Sequence, residues 1–213
     1  MITSADLPKT LAVFPLPGAL LLPRSRLPLH IFEPRYIQML EDSLKTGNRL
    51  IGMIQPQTVK NETDALYSTG CAGRITQFSE TDDGRFLITL SGLSRFRVIQ
   101  EIVGFVPYRK CEVTWSEFNR DLGPCENTDT IDRFALLKLL KKFSVARGMK
   151  ANWDALNDAD NEVLVNSLSM ILDFNPCDKQ ALLEAPGIAD RYANLVTLME
   201  FSLRTMDESE TLQ

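Results

Sequence analysis

Asp83-Gly84-Arg85-Phe86-Leu87-Ile88-Thr89-Leu90, followed by Arg95-Phe96-Arg97-Val98-Ile99-Gln100-Glu101-Ile102, decides the fold. Both runs alternate apolar and polar side chains with a period of two, the repeat of a strand with one buried face. Asp83-Gly84 is a hairpin signal, because glycine accepts the positive φ that tight turns between strands require. Working outward, five further short apolar runs read as strands: Leu11–Leu16, Leu27–Phe32, Leu50–Gln55, Thr69–Phe78 and Arg109–Trp115. The glycines in Thr69–Phe78 suggest a bend or bulge. Six or seven short strands with turn signals predict a bent, closed or nearly closed sheet, not a parallel one.

One helix interrupts the strands. Pro34 suits the first helical position and Gly47 the residue past the end, with Tyr36, Ile37, Leu40 and Leu44 on one face. It is expected to lie across an open end of the barrel. Residues 116–128 are polar, contain Gly123-Pro124 and read as a linker. Beyond them the period becomes helical. A helix capped at Thr128 or Asp129 should run to about Arg147, with Ile131, Phe134, Leu137, Leu140 and Phe143 inward. A second, capped at Asn157 or Asp158, carries Val163, Leu164, Leu168, Ile171 and Leu172. A short helix follows with Leu182 and Leu183, then one from about Ile188 with Tyr192, Leu195, Leu198, Met199 and Leu203, and a frayed acidic tail after Met206. The expected organisation is a β-barrel domain over 1–115, a linker over 116–128 and a helical subdomain over 129–213.

Charge divides the chain in the same place. Residues 1–115 hold 13 Lys+Arg and 11 Asp+Glu, whereas 116–213 hold 10 and 17. A total of −5 argues against a general polyanion binder. Cys71, Cys111, Cys125 and Cys177 are spaced for neither a zinc site nor a redox pair and read as thiols of a reducing cytosol. No signal peptide is read at the N-terminus, and the uncharged run Thr10–Pro23 is too short and proline-broken to span a membrane. The sequon Asn61-Glu62-Thr63 has no meaning without secretion.

The chemistry of common enzymes is not recognisable. Gly47 and Gly52 have phosphate-loop spacing but are followed by Met53 and Ile54 instead of lysine and a hydroxyl. His30 is the single histidine, no nucleophile elbow exists, and nothing marks a serine–lysine pair. Asp82-Asp83 reads as a turn, and Asp158, Asp160 and Glu162 as a helix start where acids favour the dipole. Arg95, Arg97 and Arg109 read as the solvated face of strands rather than a nucleic-acid stripe. No cofactor and no metal site are expected.

Val13-Phe14-Pro15-Leu16-Pro17, Leu22-Pro23, Pro28-Leu29-His30-Ile31-Phe32-Glu33-Pro34-Arg35-Tyr36, Gly70-Cys71-Ala72-Gly73-Arg74-Ile75, Asp83-Gly84-Arg85-Phe86 and Gly92-Leu93-Ser94-Arg95-Phe96-Arg97-Val98 occur in this order. Together they resemble the N-terminal, substrate-binding domain of the Lon proteases, and more closely its short stand-alone bacterial relatives, over about residues 9–205. Leu164–Leu168 and Lys179–Pro186 resemble the helical part of those relatives. The resemblance implies an α+β fold: a PUA-like β pseudo-barrel with one interrupting helix, then a C-terminal helical bundle. It also implies recognition of unfolded or partly folded polypeptides by a cytoplasmic adaptor or chaperone-like module, with a protease in trans as a further partner. No ATPase or Ser–Lys peptidase module is read, so no enzymatic activity is expected.

The residues proposed to meet a partner are Leu20, Leu21 and Leu22, for which core packing is the competing and favoured reading, and the strand-to-helix junction of His30, Glu33 and Arg35. His30 also has a structural reading, as a hydrogen-bonded residue at a strand end. The alternatives are an RNA-binding PUA-like protein and a small-molecule-binding domain. Oligomeric state is not readable.

Overall fold

The computed structural model describes residues 3–57 and 65–211, with side chains through Thr205. The sequon at 61–63 lies outside the described residues. The chain divides into two compact units at Pro124/Cys125. The first holds one sheet of six strands: β1 (Thr10–Pro15), β2 (Arg26–Ile31), β3 (Leu50–Ile54), β4 (Thr69–Glu80), β5 (Phe86–Ile102) and β6 (Arg109–Thr114). Their order is β2-β5-β4-β3-β1-β6. All pairings are antiparallel except β1 with β3.

The two alternating runs, 86–90 and 95–102, form one strand. β5 is 17 residues long, and its three parts do different things. Phe86–Ser91 lies between β2 and β4, the middle pairs with β4, and Arg97–Ile102 pairs with β6. Since β6 also pairs with β1, the ladder β5-β4-β3-β1-β6 returns to β5. Such a course needs sharp bending, and register shifts between Ala72 and Gly73, Ile75 and Gln77, and Val98 and Gln100 supply it. The interior is apolar, with Leu11, Val13, Ile54, Phe96, Cys111, Val113 and Trp115 packed together. The Phe96 and Trp115 rings meet edge to face at 5.9 Å.

Helix α1 (Pro34–Leu44) begins at the expected proline and packs on β1 and β3. It buries Tyr36, Met39, Leu40 and Ser43, a stripe turned slightly from the expected one, leaving Ile37 and Leu44 half-buried.

Leu20, Leu21 and Leu22 are 2%, 1% and 0% exposed, so the surface reading of this segment is corrected to core. The segment is laid against two glycines. A Cβ on Gly92 would stand 2.0 Å from the Leu22 carbonyl oxygen, and one on Gly73 would stand 2.7 Å from Leu21 Cδ2. Only a residue without a side chain lets the two backbones approach this closely. Arg24 N donates to Gly92 O and Gly92 N to Ser25 O, both at 2.8 Å, holding the crossing in place.

Residues 116–122, read as the start of a linker, form a 3-10 segment with Phe118 and Asp121 buried. Asp121 accepts from Arg95 N and Nε at 2.9 Å and from Nη2 at 2.8 Å. The reading of Arg95, Arg97 and Arg109 as a solvated strand face is therefore corrected for Arg95, which is buried. Arg95 is inside, Arg97 pairs with Glu117 and Arg109 with Glu101.

The second unit contains α2 (Arg133–Ala146), α3 (Trp153–Asp158), α4 (Asn161–Ile171), α5 (Pro176–Glu184) and α6 (Ile188–Thr211). α2, α4 and α5 each pack on α6. Asp132, not Thr128 or Asp129, caps α2, accepting from Ala135 N at 2.9 Å. Ile131 thus precedes the helix, and the true stripe is Leu136, Leu140, Phe143 and Ser144, with Phe134 outside. Likewise Asp160 precedes α4, whose inner face is Leu164, Val165 and Leu168, leaving Val163 and Ile171 exposed. Asn175-Pro176, read as a break, starts α5: Asn175 caps it and Pro176 takes the first position. α6 stays helical to Thr211, past the expected fraying point. Glu162 accepts from Glu126 N, and Glu126 accepts from Ile188 N at the start of α6, both at 3.1 Å. Buried Arg191 donates to Leu182 O and Asn166 Oδ1. These buried polar groups are structural.

Candidate binding groove

The Thr81–Arg85 turn shapes the site. Thr81 N donates to Arg85 O at 2.8 Å, Gly84 takes φ +74°, and Asp83 pairs with Arg85 at 2.9 Å. The hairpin that follows carries β2 beside it, so His30 stands opposite Leu87, and Leu87 opposite Ser79. Pro28, His30, Gln77, Ser79, Leu87 and Thr89 line a shallow groove of about 570 Å³. Outside the lining, Phe32, two residues beyond His30, meets the His30 ring edge-on at 5.9 Å, and the Arg85 guanidinium lies 6.0 Å from the Phe32 ring. Phe32 is 57% exposed and Leu87 51%, so both present apolar surface to solvent. Thr89 Oγ1 donates to Gln77 Oε1 at 3.1 Å, giving the groove a polar side.

Among the sequence-derived candidates, His30 belongs to this groove. Glu33 and Arg35 do not form part of it; they pair with each other at 2.7 Å, and Arg35 covers the Tyr36 ring at 4.5 Å. The leucines 20–22 are core. Phe32 and Leu87 were missed, yet Leu87 had a signal. It falls on the Thr89 side of the alternation, where a polar residue was due. Phe105, fully exposed between β5 and β6, is a second apolar residue that no periodicity revealed.

β2 has a strand on one side only among the described residues. The Thr81–Arg85 bond turns the main-chain groups of 85, 87 and 89 toward β4 and those of 86, 88 and 90 toward β2. Leu27, Leu29 and Ile31 therefore bond β5, while Arg26, Pro28 and His30 face the open edge. Pro28 offers no N–H in the middle of that edge, a common guard against strand addition.

His30 and Ser79 are two strands apart, about 10 Å, beyond the reach of a base and its nucleophile. Among the described residues no three His, Cys, Asp or Glu side chains are grouped to hold a metal ion. No described helix is long and apolar enough to cross a membrane.

Residues 10–200 match the family model for the substrate-binding domain of the ATP-dependent protease La (LON), and the chain belongs to this family. Relatives include the Lon protease of Flavobacterium johnsoniae, 24% identical over 98% of this chain, and that of Dictyoglomus thermophilum, 26% identical over 98%. The chain spans about a quarter (26%) of the length of each. Among solved structures, the Lon N-terminal domain protein from Xanthomonas campestris is similar with a TM-score of 0.62, 24% identity and coverage of 88% of this chain and 97% of that one. The N-terminal domain of the Mycobacterium avium complex Lon protease gives 0.65, 18%, 90% and 98%. These likenesses carry the fold: a mixed α+β chain with a six-stranded sheet and several helices.

Proposed function

We propose that this chain is a non-catalytic polypeptide-recognition module whose groove at His30, Phe32 and Leu87 takes apolar side chains of unfolded or partly folded segments. The observation that carries this reading is exposed Leu87 between His30 and Ser79, beside the polar pair of Gln77 and Thr89 and with exposed Phe32 against His30, in a chain of the Lon substrate-binding family. Apolar contacts supply affinity and the polar side supplies orientation. We read the ring of strands as a PUA-like pseudo-barrel that carries recognition, and the chain as an adaptor or chaperone-like factor with a Lon-type protease in trans as a further partner. Four unbridged thiols support a reducing compartment such as the cytoplasm. Against the RNA reading, Arg95, Arg97 and Arg109 are each paired with a carboxylate.

The test is binding of a labelled, reduced and alkylated protein, permanently unfolded, against its native form. The unfolded form should bind, and Leu87→Asp should weaken it roughly 10- to 100-fold, the equivalent of a leucine-sized contact. Equal binding of both forms, or indifference to Leu87→Asp, would overturn the proposal.

A further inference from the structure

Helix α2 and the turn after it are charged differently from the rest of their unit. Residues 125–213 contain 15 acidic and 9 basic residues, yet 133–153 contain six basic and no acidic residue. Of these six, Arg133 is engaged with Asn161, Leu156 O and Asn157 O, and Arg147 lies over the Phe143 ring. Lys138, Lys141 and Lys142 are exposed and form no ion pair among the described residues. Exposed helices ordinarily intersperse acids three or four residues from lysines, which stabilises both. Here that partner is missing throughout.

The lysines are framed by apolar residues. Phe134, Lys138, Lys141 and Val145 follow spacings of four, three and four, so they fall within about 60° of one another around the helix, with Lys142 at the margin. Phe134 is 79% exposed and Val145 78%. They stand 11 residues apart, about 16 Å along the axis.

We propose that this outward face of α2 docks an acidic polypeptide segment: a cluster of carboxylates over Lys138, Lys141 and Lys142, with an apolar residue at each end on Phe134 and Val145. In an extended segment about five residues span 16 Å, so apolar residues at positions one and six enclose four acids. Charge complementarity selects the occupant. A nucleic acid or an anionic membrane presents a long field of charge to a unit that outside 133–153 carries 15 acidic and three basic residues, whereas a short segment meets the lysines alone. A second copy of the chain would offer acids too, but a contact between unlike faces continues from copy to copy without closing. The proposal rests on the polypeptide-recognition reading and gives it a second site with a defined sequence preference.

The experiment uses the full chain and fluorescein-labelled hexapeptides with leucine at both ends and four glutamates, four serines or four lysines between, read by anisotropy. The glutamate peptide should bind at least tenfold more tightly than the other two. It should lose at least tenfold on Lys138→Glu/Lys141→Glu and at least threefold on Phe134→Ala or when salt rises from 50 to 300 mM. Leu87→Asp should leave it unchanged, while Lys138→Glu/Lys141→Glu should leave unfolded-protein binding at the groove intact, so the two sites fail separately. These positions are solvent-facing, and circular dichroism checks that the variants fold. Equal binding of the serine peptide, indifference to the charge reversal, preference for phosphatidylserine vesicles or a 20-nucleotide DNA strand, or salt-sensitive self-association instead of peptide binding would each overturn the proposal.

Discussion

Asp121→Ala should be among the most damaging single changes in the strand-bearing unit. The Asp121 side chain is 2% exposed and that of Arg95 3%, and the carboxylate takes three hydrogen bonds from Arg95 alone. The guanidinium also lies 4.8 Å from the Phe118 ring, so removing the carboxylate strands a cation in a dry site. Breaking a buried pair from one side costs about 3–5 kcal/mol, because the remaining charge keeps its desolvation penalty. For a unit of this size that lowers the melting midpoint by roughly 10–20 °C. The assay is urea and thermal unfolding followed by Trp115 fluorescence in a Trp153→Phe background, which isolates this unit. Arg95→Met with Asp121→Leu should recover part of the loss, since both charges are removed while the Arg95 backbone N–H still loses its acceptor. Glu117→Ala, which breaks the half-exposed pair with Arg97, should change little. A loss below about 1 kcal/mol for Asp121→Ala, the size of an exposed pair, would refute the reasoning.

Gly92→Ala should destabilise by about 3 kcal/mol or more, because the added methyl meets the Leu22 backbone and not a movable side chain; a near-neutral unfolding midpoint would contradict the crossing described above. Burial, aided by the hydrogen bond it donates to Asp42, pushes the Tyr108 phenol up to about 12. Its folded value lies above its unfolded one near 10, so its contribution is complete below pH 10 and is lost as pH rises toward 12. That amounts to about 1–2 kcal/mol with allowance for water at the ring edge, and a Tyr108→Phe variant should lack this step in alkaline unfolding curves. Burial likewise pushes the Cys111 thiol up to about 11, with the Glu101 charge adding to it, and Cys71 is buried as well. A thiol reagent at pH 8 should therefore modify Cys125 and Cys177 promptly and the other two only after denaturation, as counted by intact mass.

Much of the architecture is local and could be read from the chain. Period-two alternation located β5, Asp83-Gly84 located its hairpin, Pro34 started α1, and the change of period near residue 130 marked the helical half. The misreadings share one cause, which is that partner choice is not local. The polar stretch 116–122 carries the right composition for a linker, but Asp121 finds Arg95, 26 residues away, and the stretch becomes part of the unit. Core packing is the favoured sequence reading of Leu20, Leu21 and Leu22, but the space they fill is opened by Gly73 and Gly92, distant in sequence. Helical faces were rotated where the cap was misplaced by a few residues, since each residue turns the stripe by 100°. The groove is a case of the same kind. His30 was visible as a lone histidine, but it joins Leu87 and Ser79 only through the registers of three strands. Local periodicity and turn chemistry are written in neighbouring residues; burial and sites arise from which distant residues the closed ladder brings together.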